Sequence, residues 1–333
     1  MKWFDIVKQT LSRKVRKSLK FIPNYIELFT YKKEIKKNWP IPANRIRFLV
    51  EMGYLLIKYN KNIEGLGFLE EAYHRKPKNI VVLQYLARSL IYLGKKDEAN
   101  KYLQELITIE PNSPLWVYYY ANEQGYNVIK MDKQKLVYFP IPKNASTTIK
   151  KNIYEYQHSK DIINPHPFFE NPSIKINCSN LKELKEYYKF AVIRDPIKRL
   201  LSYYNKNIVE AKSLLTRGYK GKRAFGLDLN PSLNEFIEKL EKYQYCFNDV
   251  FHHTLLQNAY LKRMDLDFAT DISNMNELSE ILINKLQAIS EFKVVMRSPS
   301  RHKTKEVEIS DKNFKKLKNI YKEDYELINK YNL

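Results

Sequence analysis

Two rhythms of apolar and polar residues divide this chain. Between about residues 45 and 128 the apolar positions return with a 34-residue period. Pro77 and Pro111 stand 34 apart, Leu49 is answered by Leu83 and then Val117, and Phe68-Leu69 by Tyr102-Leu103. Small residues hold the same register: Gly53 is matched by Ala87 and Ala121, and Gly65 by Ala99. Small residues let paired helices approach closely, and a proline past a helix end stops it. The pattern therefore predicts helix–turn–helix units. From about residue 129 the rhythm changes. Lys135–Phe139 and Phe190–Ile193 read as short buried strands, while Ile149, Ile153 and Tyr156 fall at helical spacing. Strands then alternate with helices, which predicts an α/β domain over 129–333. Ahead of the repeats, Trp3, Phe4, Ile6, Val7 and Leu11 share one helical face, so residues 1–44 predict an amphipathic helical cap.

The repeating unit resembles the tetratricopeptide (TPR) repeat, with about two and a half units visible. So few units bury their face only when capped at both ends, here by residues 1–44 and by the following domain. The array reads equally as a docking surface for a protein partner and as a brace.

Composition narrows the class. The chain has 333 residues, 44% hydrophobic and 14% aromatic, which marks a folding sequence. Its formal net charge is +21, so it attracts polyanions such as acidic polysaccharide, anionic lipid or phosphate-rich cofactors. Lys far outnumbers Arg, a bias that accounts for much of that charge. No zinc-finger or RNA-recognition signature is present, so a specific nucleic-acid partner is not expected. The two cysteines, Cys178 and Cys246, have no metal-ligand spacing and fit a reducing compartment. No stretch has the apolar length of a membrane span, and no signal peptide is read at the start. A cytoplasmic protein is expected, with the amphipathic first segment as a candidate peripheral contact with the membrane's inner face.

Two strings carry chemistry. In the first, an apolar strand runs into Pro142-Lys143-Asn144-Ala145-Ser146-Thr147-Thr148 and then a helix. First-turn backbone N–H groups lack internal partners and carry partial positive charge. Lys143 and the hydroxyls of Ser146, Thr147 and Thr148 complete an anion site. A Walker A loop needs glycines before its Lys-Ser/Thr, and none is present here. In the second string, Phe190-Ala-Val-Ile193 leads to Arg194-Asp195-Pro196, with Asp195 as helix cap and Pro196 at the first helical position. Arg194 emerges at the strand's carboxyl end, where α/β sheets bind ligands. Arg199 and Ser202 follow on that helix.

Together the strings resemble those of sulfotransferases that use 3′-phosphoadenosine 5′-phosphosulfate (PAPS), in the carbohydrate-modifying branch. The resemblance covers about residues 130–333. It implies a P-loop-like domain with a central parallel sheet, PAPS as sulfuryl donor, no metal, and a carbohydrate acceptor (glycan, polysaccharide or glycolipid). Carried over, Lys143, Asn144, Ala145, Ser146, Thr147 and Thr148 hold the phosphosulfate, and Arg194 and Ser202 hold the 3′-phosphate. Lys143 is also the candidate cation for the leaving group. A His between the strings serves as base in animal relatives. His166, in a proline-bounded loop, is preferred here, with His158 and Glu155 as alternatives.

Weaker matches follow. Asp249, His253 and Gln257 partly resemble an Asp-x-His-x-x-x-Gln string of some bacterial members, with Asp249 two positions early. His252-His253 also reads as a zinc pair that lacks a third ligand. Arg301 and Lys303 are candidate nucleotide contacts in a late loop, and Phe314–Leu327 resembles the closing helix. Competing readings are a TPR scaffold with a non-catalytic nucleotide-binding domain, and a P-loop nucleotide kinase.

Overall fold

The computed structural model describes residues 46–111, 113, 115–121, 126–169, 175–178, 184–217, 222–261, 265–286 and 308–333. The expected cap at 1–44 and the candidate contacts Arg301 and Lys303 lie outside these residues.

The 34-residue rhythm becomes helix pairs. α1 (Ile46–Lys58) packs on α2 (Asn62–Arg75), α3 (Ile80–Tyr92) on α4 (Lys96–Ile109), and the short α5 (Leu115–Tyr120) on α4. The small residues sit at the crossings. A Cβ on Gly53 would come within 2.7 Å of Gly65 O and of the Leu69 side chain, so only glycine permits this approach. At the equivalent crossing Ala87 and Ala99 are fully buried.

β1 (Tyr126–Met131) crosses the boundary expected at residue 128 and opens the sheet. β2 (Leu136–Tyr138) leads through the first string into α6 (Ser146–His158), followed by α7 (His166–Phe169) and β3 (Lys175–Cys178). β4 (Tyr188–Ile193) leads into α8 (Pro196–Tyr203), which continues as a π-helical segment over Tyr204–Glu210. A β5–β6 ribbon (Arg223–Ala224, Leu227–Asp228) precedes α9 (Leu233–Glu238), α10 (Leu240–Cys246), α11 (Asn248–Thr254) and α12 (Asn258–Leu261). β7 (Phe268–Asp271), α13 (Met275–Leu286), α14 (Asp311–Ile320) and α15 (Lys322–Lys330) close the chain.

The five-stranded sheet has the order β3-β1-β2-β4-β7. It is parallel where the two strings leave it, along β2, β4 and β7, and antiparallel at β1 and β3. Both faces are covered, which explains the unbroken apolar runs. Phe190 and Val192 of β4 pack with Ile149 and Ile153 of α6 and Leu278 of α13. Ala191 and Ile193 face Leu255, Leu261 and Leu327 on the other side.

The helix pairs share a core with this α/β part. α10 packs across the face made by α1 and α3. Tyr54 OH donates to Tyr245 O at 2.5 Å, and Arg88 reaches Asn248 Oδ1 and Gln244 O at 2.6 and 2.9 Å. The Tyr245 ring stacks on Tyr92 at 4.1 Å, and its hydroxyl meets Ser89 Oγ at 2.8 Å. That face of the array is occupied by the chain's own helix and acts as a brace. Tyr245→Ala should therefore lower unfolding stability by about 3–5 kcal/mol, the range for removing a buried aromatic ring. Urea denaturation followed by circular dichroism checks it; a loss confined to surface-mutant values would contradict a shared core. Among the described residues, no helix is long and apolar enough to cross a membrane.

Candidate active site

The first string forms a strained loop. Lys143 (φ 69°) and Ala145 (φ 54°) are both left-handed without being glycine. Each costs about 1–2 kcal/mol and persists only where surroundings enforce it. The enforcement is visible. Asn144, fully buried between them, donates through Nδ2 to Val192 O at 2.8 Å and to Gln257 Oε1 at 2.5 Å. Arg199 Nε donates to Pro142 O at 2.9 Å, and Arg194 Nη1 to Lys143 O at 3.1 Å. Alternating backbone hand turns successive N–H groups toward one concavity, a geometry that receives anions. Ala145 stands at the helix cap position and offers no capping side chain, so the first-turn N–H groups of α6 are not claimed by one. Ser146, Thr147 and Thr148 occupy that first turn.

Lys143 lies in a dense field of positive charge. Its Nζ donates to Asn207 Oδ1 at 2.6 Å, on the π-helical segment, and sits 5.7 Å from the centre of the Tyr203 ring. Burial, then the cations of Lys206, Arg194 and Arg199, pull its pKa down to about 8, against the opposite pull of Asp249. The folded value lies below the usual 10.5, so the fold disfavours this ammonium at neutral pH. That cost fades as pH rises from about 8. A bound anion would offset it. For the catalytic role expected of Lys143, kcat/KM should fall above pH about 8 as the ammonium is lost. Lys143→Arg should move that alkaline limb out of range, and a limb unchanged in the variant would assign it to another group.

The second string behaves as its residues dictate. Asp195 accepts from Lys198 N at 2.8 Å and caps α8, and Pro196 opens the helix. Arg194 is half-buried, and its Nε is buried with no hydrogen-bond partner. Ser202 is half-buried two turns along α8. Arg199 is 1% exposed and holds Pro142 O and Leu255 O, which makes it a loop anchor.

The base candidates separate. His166 Nε2 meets Thr147 Oγ1 at 2.9 Å, beside the helix start. Glu155 pairs with Lys151 at 3.3 Å, and His158 is exposed against Tyr154 and Phe168. Glu155 lies in the third turn of α6 and His158 beyond it, roughly 13 and 18 Å along the axis from Ser146. His253 stacks on Tyr203, with Nδ1 3.2 Å from Asp249 Oδ1, and Tyr203 OH donates to the other Asp249 oxygen. Sequence reading missed Asn207 and Asp324. Asn207 follows the recognised string within an ordinary polar stretch. Asp324 looks like one of several surface acids of an amphipathic helix, yet it is fully buried. Its Oδ1 accepts from Asn258 N at 2.9 Å, and burial raises its pKa.

A sequence model described as the sulfotransferase family matches residues 126–332, which take in the whole sheet and both strings. Neither the curated proteins nor the solved structures gave a match. With an anion-shaped loop and a half-buried arginine meeting at the carboxyl ends of the sheet's parallel strands, and with that match over more than half its length, the chain belongs to the sulfotransferase family.

Proposed function

We propose that this sulfotransferase moves a sulfuryl group from PAPS to a hydroxyl of a carbohydrate acceptor. One observation carries the reading: Lys143, the start of α6 and Arg194 converge at one edge of the sheet, joined by the Arg194–Lys143 bond. A donor with charge at both its 5′ and 3′ positions fits two such cationic groups. The family normally uses PAPS. Carbohydrate is favoured as acceptor by the likeness of the Pro-Lys-x-Ala-Ser-Thr-Thr loop to the carbohydrate-modifying branch.

In this reading the loop N–H groups and the hydroxyls of Ser146, Thr147 and Thr148 hold the phosphosulfate. Arg194 and Ser202 hold the 3′-phosphate. The acceptor oxygen forms a bond to sulfur while the bond from sulfur to the bridging oxygen breaks. The electron pair leaves on the phosphate of adenosine 3′,5′-bisphosphate, where Lys143 meets the growing charge. The acceptor's proton passes to His166, whose ring lies against Thr147 in the first turn.

Transfer of labelled sulfate from PAPS to a panel of desulfated oligosaccharides tests this function, with tyrosine peptides as the competing class. His166→Ala should lower transfer by about 10²–10⁴-fold while bisphosphate affinity stays at the wild-type value. Normal turnover in that variant would remove His166 from the mechanism. Labelling of peptides alone would remove the carbohydrate reading.

A further inference from the structure

We infer that Gln257 is a positioning residue that locks the two anion-binding strings to each other. Its side chain is fully buried and belongs to neither string. Its Oε1 accepts from Asn144 Nδ2 at 2.5 Å and from Arg194 N at 3.1 Å. Its Nε2 donates to Arg194 O at 2.7 Å, with Asp324 Oδ2 at 3.5 Å.

The pairing with Arg194 has the form of a strand rung. β4 and β7 pair as far as Ile193 and Asp271, and Arg194 is the next residue. The Gln257 amide supplies one acceptor and one donor to the backbone of Arg194, as a neighbouring peptide group would. The sheet's order is thus carried one residue further, to the residue whose guanidinium reaches Lys143 O. The same amide oxygen holds Asn144, the residue between the two left-handed positions of the loop. One buried side chain therefore ties the Arg194 backbone to the Asn144 side chain, at both ends of the proposed donor site. A buried amide is costly unless its groups are satisfied, and every one of these bonds is directed at the site or its support. Glutamate would keep the shape but lose the donor to Arg194 O, and would set a second carboxylate against Asp324.

The clamp on the two strings is a statement about the chain itself. Its consequence for affinity rests on the PAPS reading. Residue-resolved amide exchange of the ligand-free protein tests the first. In Gln257→Met, exchange at Asn144 and Arg194 should speed up together by about ten-fold or more, with β1 unchanged. Acceleration at one site alone, or at neither, would overturn the clamp. Should Gln257→Met fail to fold, Asn144→Ala supplies the test: it should speed exchange at the Arg194 amide, which Asn144 reaches through Gln257. An unchanged Arg194 amide there overturns the proposal. Calorimetry with adenosine 3′,5′-bisphosphate tests the second. Gln257→Met and Gln257→Glu should each weaken binding about ten-fold, and unchanged affinity would reduce Gln257 to a packing role. A wild-type protein that does not bind the bisphosphate would fail the donor reading, while the exchange result still decides the clamp.

Discussion

Replacing Lys143 with Ala should cut kcat by about 10²–10³-fold, the loss seen when one preorganised electrostatic donor is removed. Bisphosphate affinity should fall far less. The reason is the timing of charge. In the bound donor the bridging oxygen carries little charge; in the transition state it carries the electron pair of the breaking bond. A cation aimed there lowers the barrier more than it tightens binding. The ammonium is already desolvated and crowded by Lys206, Arg194 and Arg199, so new negative charge is stabilised without water reorganising around it. Asn207 holds Nζ at 2.6 Å, which keeps the cation at the loop. Lys143→Arg keeps the charge on a larger fork and should recover part of the rate. Steady-state kinetics with PAPS decide this, and an unchanged kcat in Lys143→Ala would end the assignment.

Arg194→Ala should weaken adenosine 3′,5′-bisphosphate by about 10²-fold or more, the cost of truncating one member of a largely desolvated charge pair. Affinity for adenosine 5′-monophosphate should change much less. In the proposed site Arg194 contributes twice. Its buried Nε has no partner, so a phosphate satisfies a group that is otherwise unpaired. Its Nη1 also holds Lys143 O, so truncation frees one restraint on the strained loop. Arg194→Lys should recover little, because an ammonium cannot offer the two parallel bonds of a guanidinium. Equal loss for both nucleotides would place Arg194 at the 5′ end or in the fold alone.

Much of the site was legible because each string is local. Lys143 to Thr148 and Arg194 to Ser202 are continuous segments, and their strand, turn and cap chemistry is set by neighbours in sequence. The helix pairs were legible for the same reason, through the period that places Gly53 and Gly65 at one crossing. What sequence could not show are the contacts made at long separation. Gln257 lies 113 positions from Asn144 and 63 from Arg194, and only the fold brings them together. Asp324 has the spacing of a surface acid but ends up buried beside Gln257. The packing of α10 into the helical array depends on Arg88 and Ser89 meeting Gln244 and Tyr245, pairs that no periodicity announces. The sheet's antiparallel edge escaped as well, since only the turn at residues 132–135 separates β1 from β2.

The central claim is a site for a 3′-phosphorylated adenine nucleotide, and calorimetry of the wild-type protein tests it most directly. The account predicts that adenosine 3′,5′-bisphosphate binds at least about ten-fold tighter than adenosine 5′-monophosphate, the worth of a charge-assisted contact to the added phosphate. Equal affinity for the two nucleotides, or no binding of either by the folded protein, would contradict it.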